Sequence, residues 1–402
     1  MLLDGMSVEL RPKAFSALRT LIRNNGRYVD YDQMIHDAWD GVFVSRHTVA
    51  VTIAEVKRAL GEYGHWISHR TKVGYRLELP GSEELIRQGW HFWTRATREG
   101  LEKALECFGE AVELDSSDSR GYEGMSVCYL SLGTYGMRPA REMYAGFLKA
   151  HQRAVELCGI TPELRGELGH ALHVFERNFP AAERELLQAL REKPSWGGIY
   201  VRLAMLYITE GRFTEALDII ARSRSIDSLN HVIPPAEIFL WLCQRNAPAA
   251  LAAGKRAVEL HPYQPLGRGL FAQALEAAGQ LEEARKQNQL AYLMSPDLHW
   301  LKAFEGICLA KLGRLSEAEE RLEEIQQLRE SDYVDAYFVA LLYEGLGRRD
   351  GAMRELERAV DENSATLFLL DVDPRMDALR ADPRFQPLRD RAFHLEAACG
   401  TG

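Results

Sequence analysis

The apolar positions of the first eighty residues change period along the chain. Val8-Glu9-Leu10 alternates as a strand does, and Leu2-Leu3 leaves room for one more short strand before it. From Pro12, which suits the first turn of a helix, Phe15, Leu18, Leu21 and Ile22 recur at helical spacing up to the stop signal Asn25-Gly26. A second helix is predicted after Asp32, carrying Met34, Ile35, Ala38 and Trp39 and broken by Asp40-Gly41. Ser45 is placed to cap a third helix running to about Leu60-Gly61. In that helix Val49, Ile53, Val56 and Leu60 form one apolar stripe. The opposite face presents His47, Val51, Ala54, Glu55 and Arg58, flanked by Thr48, Thr52 and Lys57. Period two then returns on both sides of Arg70-Thr71-Lys72-Val73-Gly74, which predicts a β-hairpin with a basic tip.

Helix, turn, helix and basic hairpin make the layout of a winged helix, in which one helix can enter a major groove while the hairpin reaches the flanking backbone. The residues expected at a duplex are Arg46, His47, Thr48, Thr52, Glu55, Lys57 and Arg58 on the third helix, with Arg70, Thr71, Lys72 and Tyr75 on the wing. Arg76 adds to the basic cluster on these two elements. The stretches RPKAFSALRTLIRNNGRYVDYDQMIHDAWD, VSRHTVAVTIAEVKRALG and ISHRTKVGYRL resemble, in order and spacing, the OmpR/PhoB-type C-terminal DNA-binding domain. Gly-Tyr-Arg in the wing and Ala-Leu-Gly ending the recognition helix are the most specific marks. The resemblance implies a DNA-binding transcriptional regulator. It also implies a four-stranded opening sheet, for which this chain has room for only two short strands. Ala54 and Glu55 stand where many relatives carry basic residues; Glu55 can accept from cytosine N4 but repels phosphate.

Beyond Pro80-Gly81-Ser82 the pattern is helical almost throughout and repeats. Ala182, Ala216, Ala250, Ala284, Ala318 and Ala352 follow one another at intervals of 34 residues. Seven residues after each stand Ala189, Ser223, Ala257, Ala291, Ile325 and Ala359. Five before each stand Arg177, Gly211, Arg245, Gly279, Gly313 and Gly347, in the turn inside a helix pair. A 34-residue period with small residues at the helix crossing is the tetratricopeptide signature. One further unit lies at residues 100–117, with Ala104 and Ala111 in the same roles, and a less regular one spans 118–161 with a stretched loop at 133–139.

The expected fold class is therefore mainly α: a small N-terminal winged helix (α+β) over residues 1–80, then an α-solenoid of about eight units over 83–365. Residues 366–402 would form a capping segment and tail. Such a solenoid offers a groove to a protein or peptide partner, and Val201, Met205, Ile208, Phe239, Leu242, Tyr337 and Leu341 are its expected lining. Self-association into a homodimer is a further use, fitting a regulator that reads paired half-sites.

Charge and composition refine this picture. Residues 1–80 hold 11 Lys and Arg against 9 Asp and Glu, whereas the remainder holds 38 against 49, so contact with double-stranded DNA belongs to the head. No apolar run suits a membrane span and no secretory signal opens the chain, which makes the cytoplasm the expected compartment. The six scattered cysteines lack any CxxC pair and suit buried, reduced thiols. No phosphate-binding GxxxxGK[ST], HExxH or GxSxG motif occurs, so neither enzyme activity nor a cofactor is expected. His170 and His173 lack a third ligand for a metal. Asp371, Asp373, Asp377 and Asp382 suit caps and turns beside Pro374 and Pro383.

Overall fold

The structure, a computed structural model, describes residues 2–3, 6–7, 10–78, 81–226 and 233–393. The chain divides into two compact units, Met1–Glu84 and Leu85–Gly402. In the first, β1 (Leu2–Leu3) pairs antiparallel with β2 (Met6–Ser7). Of the strand expected at 8–10, residues 8 and 9 lie outside the described residues, and Leu10 is not in a strand. Helix α1 (Pro12–Arg23) buries Ala14, Ala17, Leu18 and Leu21. Phe15 and Ile22, which recur with Leu18 and Leu21 at helical spacing, are about half exposed, because they sit roughly 90° round the helix from the centre of the Ala14–Ala17–Leu18–Leu21 stripe. Helix α2 (Tyr31–Trp39) starts two residues earlier than expected: Asp30 rather than Asp32 precedes it as the cap, accepting from Gln33 N–H at 2.8 Å, and left-handed Asp40 ends the helix. Helix α3 (Arg46–Ala59) and the hairpin of β3 (Ile67–Arg70) and β4 (Gly74–Leu77) complete the unit.

The second unit is a stack of eight helix pairs among the described residues. They are α4 (Ser82–Trp93) with α5 (Arg98–Leu114), α6 (Ser119–Thr134) with α7 (Ala140–Cys158), and α8 (Pro162–Ala171) with α9 (Phe179–Glu192). Next come α10 (Gly197–Thr209) with α11 (Phe213–Ile226), α12 (Ile233–Cys243) with α13 (Ala247–Leu260), and α14 (Pro265–Ala277) with α15 (Leu281–Met294). The last are α16 (Trp300–Lys311) with α17 (Leu315–Leu328), and α18 (Ala336–Gly345) with α19 (Arg349–Asp361). The six alanines from Ala182 to Ala352 are all fully buried, since two helices approach closely only where side chains are small.

Each inner turn is closed by a left-handed residue. Gly211, Gly279, Gly313 and Gly347 have φ between 70° and 77°, and Arg177 and Arg245 adopt the same conformation at 54° and 57°. The amide after each turn residue returns to the helix, as Arg212 N–H does to the Tyr207 carbonyl at 2.8 Å and Arg314 N–H to Leu309 at 3.0 Å. In the α8–α9 pair a π-helical turn (Leu172–Glu176) adds a residue, so Asn178 N–H reaches back to Leu172 instead.

The stack coils until its ends meet. Arg98, at the start of α5, donates to Asp297 at 2.8 Å and also clasps Asp332, 234 residues further on. Burial pushes the Asp332 carboxyl up, but hydrogen bonds from Arg98 and His299 outweigh it and hold the group at about 2. After α19 the chain makes 3-10 turns at Ala365–Leu369 and Pro374–Met376, then α20 (Asp377–Arg380) and α21 (Phe385–Phe393). This segment does more than cap the last pair. Phe368 packs on His173 with ring centroids 4.9 Å apart, and Phe393 meets Phe179 at 5.9 Å, both of them residues of the α8–α9 pair.

Candidate nucleic-acid interface

Ser45 fixes the start of α3: its hydroxyl accepts from Thr48 N–H at 3.1 Å. Val49, Ile53, Val56 and Leu60 are buried as the apolar stripe requires, and each such side chain contributes about 1.5–3 kcal/mol of burial. That anchoring turns Arg46, His47, Thr48, Val51, Ala54 and Arg58 outward, with Lys57 half-exposed beside them. Thr52 does not join them. It is buried, and its hydroxyl donates to the Thr48 carbonyl one turn back at 2.9 Å, so it serves the helix rather than a duplex.

The wing is positioned by backbone pairing. Val29 and Tyr75 exchange N–H···O bonds of 2.7 and 3.0 Å, which ties β4 to the segment between α1 and α2. Gly74 has φ 135°, and a Cβ there would lie 2.1 Å from the Val29 carbonyl oxygen, so the Gly of Gly-Tyr-Arg is required by close backbone approach. Arg70, Thr71 and Lys72 are exposed at the tip. Tyr75 was expected among them but is buried, packed edge-on against Tyr31 with centroids 5.8 Å apart, and burial pushes its phenol up to about 12. Strand alternation explains this: the register that exposes the tip turns Tyr75 inward.

Three residues that the sequence did not single out shape the face. Tyr31 hydrogen-bonds His69 Nε2 at 2.9 Å, and the Arg46 guanidinium lies 4.9 Å over the Tyr31 ring, so one aromatic cluster joins α2, the wing and the first turn of α3. Arg11, just before α1, donates through Nε to Glu55 at 2.7 Å and through Nη2 to the same carboxylate. The side-chain hydrogen bond from Arg11 lowers the Glu55 carboxyl and raises the guanidinium in turn. Glu55 is therefore a neutralised partner of Arg11 rather than a free acceptor for cytosine. Arg76 is likewise engaged, stacked over Tyr28 at 5.0 Å and paired with Glu78 at 2.7 Å. Among the described residues Lys57, Arg58, Arg70 and Lys72 enter no salt bridge, which leaves four cations on the outward faces of α3 and the wing.

The expected groove residues of the array are mostly core. Ile208, Phe239, Leu242, Tyr337 and Leu341 are buried, and only Val201 and Met205 are partly accessible. The first helix of each pair packs on its neighbours by these side chains, and the C-terminal segment covers Tyr337: the phenol donates to Asp373 at 3.0 Å. His170 and His173 do not converge on a third ligand; His173 Nε2 lies 2.9 Å from the Thr209 hydroxyl, and burial pushes its imidazole down to about 3. No group of three metal-ligating side chains occurs among the described residues. Cys128, Cys243 and Cys308 are buried free thiols, Cys107 is half-buried and Cys158 exposed; Cys399 lies outside the described residues. Asp373 and Asp382 accept from Arg375 and Arg384 amides as turn formers, whereas Asp377 and Asp371 pair with Arg245 and Arg389. Among the described residues no helix is long and apolar enough to cross a membrane.

Residues 5–77 match the family model described as transcriptional regulatory protein, C terminal. Over 60 residues the chain is 38% identical to the transcriptional regulatory protein CutR of Streptomyces coelicolor, and equally to that of Streptomyces lividans. That alignment covers 15% of this chain and 28% of the relatives' own length. Across most of its length the fold is similar to that of human IFIT1, solved as a dimer with m7Gppp-AAAA: TM-score 0.58 at 15% identity, covering 85% of this chain and 79% of that one. A monomeric IFIT1 mutant with Gppp-AAAA gives 0.56 at 14% identity over 95% and 87% of the two chains. At such identity the likeness is one of fold alone. The N-terminal unit is a transcriptional regulatory domain of the OmpR/PhoB type, and a tetratricopeptide-like helical solenoid follows it.

Proposed function

We propose that the protein is a DNA-binding transcriptional regulator. In this reading α3 enters the major groove with Arg58 and Lys57 toward phosphate and His47, Thr48 and Val51 toward base edges, while Arg70 and Lys72 hold the flanking backbone. The observation that carries it is the set of four cations without a salt-bridge partner among the described residues, on two elements whose buried faces fix their direction. The family match of residues 5–77 supports it. The array would take a protein or peptide partner, or a second copy of the chain, and so supply the regulatory input. The proposal places the protein in the cytoplasm and gives it no catalytic role.

The test is fluorescence anisotropy of the full chain with its own upstream region and with random duplex over a salt series. Contact with Z phosphates gives a slope of about −0.9Z in log K against log salt. Arg58→Ala and Lys72→Ala should each weaken binding and each reduce that slope by about 1, with melting temperature unchanged. Unchanged affinity in both variants would refute the docking. No binding of any fragment at low salt would leave a scaffold that binds through its array.

A further inference from the structure

Four of the six regular inner turns use glycine for their left-handed residue, but two use arginine, Arg177 and Arg245, where an L side chain is disfavoured. Both arginines hold the C-terminal segment. Arg177 Nε donates to the Ala392 carbonyl at 2.6 Å, and Arg245 Nη2 donates to the two Asp377 oxygens at 2.8 and 2.6 Å. Just ahead of these clamps the segment meets α16 and α18, each the first helix of its pair. Asp373, fully buried, accepts from Tyr337 of α18, and the Arg375 guanidinium lies 4.4 Å over the Phe304 ring of α16. Strain retained at the two turns that grip one segment points to a role for that grip beyond the turn itself.

We propose that the inner face of the array is a peptide-binding site whose internal ligand is residues 365–393, and that a partner presenting a similar carboxylate-proline-arginine turn with flanking apolar residues competes for it. The inference rests on the array's being a partner-binding surface, and it is tested without DNA, so its failure is separable from failure of the regulator reading. Docking of the segment and docking of a partner are mutually exclusive, since Tyr337 and Phe304 cannot serve both.

The experiment replaces both arginines with the residue that the sister repeats carry, Arg177→Gly with Arg245→Gly, in the full chain. Glycine suits the left-handed turn, so the pairs keep their geometry while the clamps are lost. Hydrogen exchange across 365–393 should become roughly tenfold faster or more, the factor expected when charge-assisted contacts are removed, while α14 to α17 keep their protection. A labelled synthetic peptide of residues 365–393 should bind the Asp377→Ala chain roughly two- to fivefold tighter than the wild type, because that chain's own segment has lost the clamp while Arg245 is kept for the peptide's Asp377. Unchanged protection of the segment in the double variant, loss of protection by segment and stack together, or equal peptide affinity in the Asp377→Ala and wild-type chains would each overturn the proposal. Should the double variant fold poorly, hydrogen exchange of the Asp377→Ala chain is read in its place, with the same outcomes deciding.

Discussion

Arg11 and Glu55 set the electrostatics of the recognition helix. A lone carboxylate there would oppose phosphate, but the guanidinium just before α1 cancels it, so the outward face keeps its net positive charge. Arg11→Ala should therefore weaken DNA binding by roughly two- to tenfold at 0.1 M salt, and adding Glu55→Gln should restore most of the loss. Equal losses in the single and double variants would mean that Arg11 acts on DNA directly. Nothing in the sequence announces this pair, because its members lie 44 residues apart and meet only when α1 and α3 pack. A second residue with a measurable signature is Glu167, buried in α8, which accepts from the Ser126 hydroxyl at 2.6 Å. Burial pushes its carboxyl up to about 7, against the pull of Arg202 and Ser126. A folded value above the ordinary 4.5 means the native state binds more protons than the unfolded one between those values, so stability is lost as pH rises from 4.5 to 7. Glu167→Gln should thus stabilise the protein at pH 8 by up to about 3 kcal/mol, with the gain vanishing below about pH 4.5. Urea titrations at the two pH values check this; a pH-independent difference would rule out titration of Glu167 as its source.

Elements were legible where their determinants are local. The Ser45 cap, the Val49–Ile53–Val56 stripe and the basic hairpin tip are each written within a few residues, and α3 and the wing fold as those residues direct. The 34-residue period is equally local in origin, since each pair needs a small residue at its crossing and a left-handed residue at its turn. Ala250, fully buried where α13 crosses its neighbours, is the clearest case. Ala250→Trp should cost about 1–3 kcal/mol by overpacking and lower the melting temperature of the second unit, measured by calorimetry. An unchanged transition would contradict the crossing. Side-chain direction within the period was harder to read. Tyr337 and Ile208 sit at positions that line a groove in an open stack, but their neighbours in this one close over them.

At the scale of the molecule, what the sequence hid is the consequence of accumulated rotation. Each pair turns slightly on the last, and only the sum brings α5 to the turns before α16 and α18 and lays residues 365–393 against α8, α12, α16 and α18. No pairwise pattern in the sequence encodes that sum. The Arg98 clasp also sets a timetable for biosynthesis. Arg98 leaves the ribosome 234 residues before its partner Asp332, an interval of roughly 10–50 s at ordinary rates of chain elongation. During that interval the stack has no far end to close upon, and the 234-residue separation of the clasp makes closure a late event. The N-terminal unit, complete at Glu84, has its whole chain available before the wait begins.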